Sequence, residues 1–187
     1  MSLDYTLYFQ RQLYSPEQLT AYSGRWRLPM ELHPEFDSRN DSGFLPVKLE
    51  TDRFSGDGRL QAYLTGFEIY IDVFHSEVDG SRPFSLLRRL FRKRKEKPTD
   101  FDISAKNCDT VYYLCCYPDD PLSVLSAFLF GAAFCRCCGG VFEDPQTGAQ
   151  YLTPESLEAE LEAIIRDVEA AALSGTVQLQ IFDKWPT

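Results

Sequence analysis

The chain has 187 residues, 44% hydrophobic and 14% aromatic, which is enough apolar material for a substantial core and excludes a wholly disordered polypeptide. Its net charge of −9 hides an asymmetry: Arg82 to Lys97 holds eight Lys or Arg against Glu96 alone, a local +7 that leaves −16 for the remainder. A body this acidic repels nucleic acid and anionic lipid, so neither is expected as a partner, and it suits a basic protein partner. The opening MSLDYTLYFQRQLY lacks the charged start and apolar run of a signal peptide, and six cysteines without such a signal point to reduced thiols. A cytoplasmic protein is expected.

Leu3, Tyr5, Leu7 and Phe9 alternate with Asp4, Thr6, Tyr8 and Gln10, which predicts a half-buried first strand. Ser15-Pro16-Glu17-Gln18 then offers a capping box with proline in the first turn, and Gly24 a stop, for a short helix. Trp26, Leu28, Met30 and Leu32 alternate again, but Pro29 lacks a ladder N–H and confines that segment to a sheet edge. After the polar loop His33 to Gly43, Leu45, Val47 and Leu49 share a strand face. After a second loop, Thr51 to Gly58, Phe67, Ile69, Ile71 and Val73 alternate with Glu68, Tyr70, Asp72 and Phe74 as an antiparallel strand with one wet side.

A basic insertion from about 75 to 102 interrupts this order, with a short helix expected to start at Ser85. Thr110 to Tyr117 is a near-continuous apolar run, the mark of a central strand covered on both faces. It leads into DDPLSVLSAFLFGAAFCRCCGG, where Asp120 can cap, Pro121 fits the first helical position and Gly139 can close a helix that is apolar nearly all round. From Pro121 to Cys135 only 15 uncharged residues run on, short of the roughly 20 needed to cross a bilayer, so a core helix is expected and no membrane span. Asp144-Pro145-Gln146-Thr147-Gly148 reverses a hairpin. Thr153-Pro154-Glu155 opens a last amphipathic helix, and Val177, Leu179 and Ile181 predict a final strand. The order implies an α+β fold in a single domain spanning 1–187: a mixed, largely antiparallel sheet packed by a long buried helix and two amphipathic helices.

Candidate chemistry is sparse. Cys135-Arg136-Cys137-Cys138 has CxxC spacing, and Cys135 with Cys138 could hold a metal if two further ligands joined them, in a small α+β enzyme or ligand-binding domain. The motif ends its helix, where the dipole opposes a thiolate, so core thiols are the plainer reading and no cofactor is expected. His33 and His75 are too few and too far apart for a catalytic pair, and the carboxylate pairs fall on turns, caps and strand faces.

The acidic body, the apolar helix entered by DDPL and ended by GG, and the VFEDPQTG hairpin after it resemble small immunity proteins of bacterial polymorphic-toxin systems, contact-dependent or type VI secreted. The likeness covers Val111 to Leu152. It implies a cytoplasmic, non-catalytic protein that binds and neutralises a cognate toxin domain. The basic insertion departs from a uniformly acidic inhibitor. For such a partner the first contacts to expect are the loop acids Asp37, Asp41, Asp52 and Asp57, with neighbouring aromatic residues as anchors.

Overall fold

The computed structural model describes residues 2–10, 15–37, 41–73 and 98–186. The expected basic insertion, with the helix start at Ser85, lies outside the described residues as far as residue 97. In chain order the elements are β1 (Leu3–Phe9), α1 (Pro16–Ser23), β2 (Met30–Leu32), β3 (Gly43–Thr51), β4 (Gln61–Val73), α2 (Asp100–Lys106), β5 (Thr110–Cys116), α3 (Pro121–Cys138), β6 (Val141–Asp144), β7 (Ala149–Tyr151) and α4 (Pro154–Leu173). The strands form one sheet in the order β2-β3-β4-β5-β1-β6-β7, and every pairing among the described residues is antiparallel. This is the α+β architecture that the sequence pattern implies.

The helix starts follow their cap chemistry. The Ser15 hydroxyl accepts from the Gln18 N–H and the Gln18 side chain accepts from the Ser15 N–H, so both groups at the head of α1 are satisfied. Thr99 and Asp102 repeat the device for α2, which the sequence reading did not foresee. Asp120 accepts from the Leu122 N–H at 3.0 Å and, through its other oxygen, from the Thr65 hydroxyl at 2.8 Å, so the cap of α3 is also a tie to β4. Gly139, at φ 65°, takes the left-handed turn that ends α3.

By length and composition α3 could cross a membrane, yet 78% of it is buried inside the molecule. It lies across β4, β5, β1 and β6 and is backed by α4 and α1. Phe130 packs on Phe67 and Tyr112 from the sheet, with ring centroids 5.5 and 6.0 Å apart, and Phe128 packs on Tyr5 and Phe142 at 4.9 and 5.1 Å. Leu157, Leu161, Ile165 and Val168 of α4 complete the cover. Gly131 marks the closest approach of helix and sheet, since a Cβ there would lie 2.5 Å from the Phe142 ring.

Two expectations are corrected. β1 is covered on both faces from Tyr5 onward, because it sits between β5 and β6 and its second face carries Tyr8 into a small cluster with Phe101 of α2, Val111 and Val141. Alternation of Leu with Tyr and Thr hid this, since Thr6 and Tyr8 are polar enough to read as wet. The expected last strand is a single bridge, Tyr63 to Ile181, fixed by two backbone hydrogen bonds of 2.8 Å to Gln180 and Phe182. The chain there is held too briefly for a ladder. Pro29 does precede an edge strand, whose outer backbone groups are satisfied by α1: the Met30 N–H donates to the Ser23 hydroxyl and its carbonyl accepts from Thr20.

Gly131→Ala tests the helix contact. The added methyl must push the Phe142 ring or α3 aside, and overpacking of this kind costs about 1–3 kcal/mol. A urea midpoint unchanged from wild type would show that the helix does not seat so closely.

Candidate functional site

The four loop acids are not brought together. Asp37 and Asp41 lie before β3, where the Asp41 carboxylate accepts from the Asp37 N–H at 2.7 Å. Asp52 and Asp57 lie beyond its other end, the first paired with Arg27 and the second accepting from Ser55 at 2.6 Å and pairing with Arg59 at 3.1 Å. Those contacts hold the Asp57 carboxyl below its ordinary range, the Ser55 hydroxyl first. A strand of nine residues separates the two pairs, roughly 25 Å at a β-strand's rise. They cannot serve one small contact.

Cys135 and Cys138 are both buried in the last turn of α3. Burial pushes the Cys135 thiol far up and that of Cys138 up to about 11, so both are protonated near neutrality. Among the described residues no three metal-ligating side chains converge. Among the described residues the pair therefore has no further ligands gathered beside it. Cys116 is likewise buried and pushed up to about 12. Of the cysteines in the CRCC run Cys137 alone is exposed, beside a shallow recess shared with Leu19 and Phe134.

The second face of the sheet has a different character. Antiparallel register aligns Phe44, Glu68, Cys115 and Asp4 as one row across β3, β4, β5 and β1. The next row runs Tyr70, Tyr113, Thr6 and Glu143, and the row after it, Asp72, Val111, Tyr8 and Val141, passes under α2. At another corner the C-terminal segment covers the face, with Lys48 under the Phe182 ring and Trp185 against His33. Between these covers Phe44, Asp4 and Tyr70 stay exposed and Glu68 is half-buried, whereas Thr6 is buried and Tyr113 packs against the α2 cluster.

There Glu68 is the hub. Its two oxygens accept separately from the Tyr70 hydroxyl, at 2.7 Å, and from the Tyr117 hydroxyl, at 3.0 Å. Both phenols are held above their ordinary value, first by these hydrogen bonds. Phe44 lies 6.5 Å from the Tyr117 ring and against Gly66, where a Cβ would meet the Phe44 ring at 2.5 Å. Phe44, Tyr70 and Tyr117 are 50, 44 and 45% exposed, a concentration of wet aromatic surface on one face. Cys115, beneath them, is pushed up to about 12 by burial and then by its contact with Asp4. The chemistry of this face is that of exposed aromatic rings around an oriented carboxylate.

Alternation had placed Glu68 and Tyr70 on the wet side of β4. Phe44 and Tyr117 were missed, because each stands at a strand end where the period-two pattern stops. The available signal was Gly66 two residues from Glu68, a gap in the wet side of β4 that a neighbouring ring can fill. Comparisons with protein-family models, curated proteins and solved structures find no match for the chain.

Two measurements test this chemistry. At pH 8 the folded protein is expected to show one thiol that reacts rapidly with a disulfide reagent, lost in Cys137→Ser, with the buried Cys116, Cys135 and Cys138 reacting only on unfolding. Two or more fast thiols would contradict the burial described. Stability should also fall in alkali. The phenols of Tyr5, Tyr8 and Tyr22 and the buried thiols have folded-state values raised, chiefly by burial, above their unfolded ones. The unfolded chain therefore releases protons first, its thiols from about pH 8 and its phenols from about pH 9: the contribution is complete below pH ~8 and is lost as pH rises through the folded-state values. A urea midpoint that stays flat from pH 8 to about 11.5 would refute it.

Proposed function

We propose that this protein is a non-catalytic, cytoplasmic immunity protein, which binds a cognate bacterial toxin domain and neutralises it by protein–protein contact. The observation that carries the reading is the open sheet face, where three exposed aromatic rings surround Glu68 with Asp4 in the same row. Exposed Tyr beside oriented carboxylates is the composition of an interface hot spot.

The charge balance supports the same reading. Pairing with Arg27 and Arg59 cancels much of the distant field of Asp52 and Asp57. Steering then falls to the acid surface as a whole, including the exposed Glu160, Glu162 and Asp167 of α4. Steering acts on the summed field, so the acids need not converge. Holding the partner requires desolvated anchors, which the sheet face supplies.

The test is co-expression with the toxin encoded beside it, together with association kinetics. Growth should be rescued, and the association rate constant should fall about tenfold or more between about 50 and 500 mM salt, as screening shortens. Failure to neutralise an adjacent toxin would reject the inhibitor reading, and a rate flat across the series would reject steering.

A further inference from the structure

We infer that the open sheet face is the docking surface and that the group it receives is an arginine side chain of the partner protein, seated on the Glu68 carboxylate and flanked by Tyr70, Tyr117 and Phe44. The inference rests on the reading of the chain as a protein-binding inhibitor, and it names the chemistry by which binding occurs.

Each Glu68 oxygen accepts one phenol hydroxyl, at 2.7 Å from Tyr70 and 3.0 Å from Tyr117. A carboxylate has about four lone-pair positions, so each oxygen keeps room for one more donor. The two hydroxyls converge from different strands and fix the carboxylate before any ligand arrives, which removes part of the ordering cost of binding. A guanidinium offers two parallel N–H groups spaced to match two carboxylate oxygens, whereas an ammonium is a point charge that engages them singly. Its plane also stacks on phenol and phenyl faces, and these rings stand exposed beside Glu68.

Charge and occupancy point the same way. Asp4 lies in the Glu68 row and Asp72 stands two rows further along β4. Lys48, on the same face of β3, is already committed to Glu31 at 3.2 Å, Glu50 at 3.6 Å and the Phe182 ring. Among the described residues Lys48 is thus engaged elsewhere, and the patch complements a cation brought by a partner. Phosphate-bearing partners meet only like charge there.

The probe is the blocked peptide acetyl-Gly-Arg-Gly-amide, titrated into the whole isotope-labelled protein by NMR beside its citrulline and lysine counterparts. The arginine peptide should give saturable shifts confined to Phe44, Glu68, Tyr70 and Tyr117, citrulline none, and lysine binding at least about threefold weaker. Glu68→Gln should abolish the response without changing the melting curve, and Tyr117→Phe should weaken it while keeping the ring. No saturable shift, shifts centred elsewhere, or equal response to lysine would overturn the inference. In the toxin assay, loss of rescue in Glu68→Lys supports the docking face, and full rescue overturns it while leaving the inhibitor reading intact. If the wild type rescues no growth, that reading fails by itself, and the peptide titration still decides the arginine seat.

Discussion

A helix that is apolar on every side must be covered on every side, and the architecture follows from meeting that demand for α3. The sheet supplies one wall through Phe67, Tyr112, Tyr5 and Phe142, and α4 and α1 supply the others. Burial of an eighteen-residue helix also buries the head of its backbone, whose orphan N–H groups must find partners. Asp120 provides one and Ser123 extends the tie: its hydroxyl donates to the Gly66 carbonyl at 2.6 Å and accepts from the Tyr117 N–H. Among the described residues no buried side-chain nitrogen or oxygen is left without a partner.

The same tie links the two sides of the sheet. Ser123 grips the backbone of Gly66 and of Tyr117, the residues on which the Phe44 ring rests and from which Glu68 is oriented. The open face is therefore mounted on the buried helix. Its side chains are exposed, but the backbone that aims them belongs to the core. Ion pairs play a lesser, bracing part: Glu158 gathers Tyr22, Arg25 and Arg136 from α1, the turn after it and α3, and Arg53 reaches Glu169 at 2.6 Å. Such half-exposed pairs stabilise by about 1 kcal/mol or less each.

Most of the fold was legible in the sequence because its signals are local. Caps at Ser15, Asp120 and Thr153, prolines at first helical positions, and alternation in β3 and β4 depend on neighbours within a turn or a strand. What the sequence concealed depends on distant partners. Whether Thr6 and Tyr8 are wet is decided by α2, about a hundred residues on, and whether Val177 to Ile181 forms a strand is decided by how much of β4 remains free. The site was harder still. Asp37, Asp41, Asp52 and Asp57 stand out in a linear reading because loops concentrate acids, yet the structure binds them into turns and pairs. Glu68 matters through register, which sets Phe44 and Cys115 opposite it from strands far apart in the chain.

The position of β1 has a consequence for how the molecule comes to exist. It precedes both of its partners in the chain, pairing on one side with residues 110–116 and on the other with residues 141–143. The hairpin of β3 and β4 can form early. The two flanks of the sheet, however, can join only when more than a hundred residues of chain have been made. Pairing at such separation is slow, because the entropy of closing the loop is lost before any contact is gained. Until β1 is inserted, the apolar faces of β5 and α3 stand unshielded, so folding from a nascent chain passes through a stage in which aggregation competes with closure.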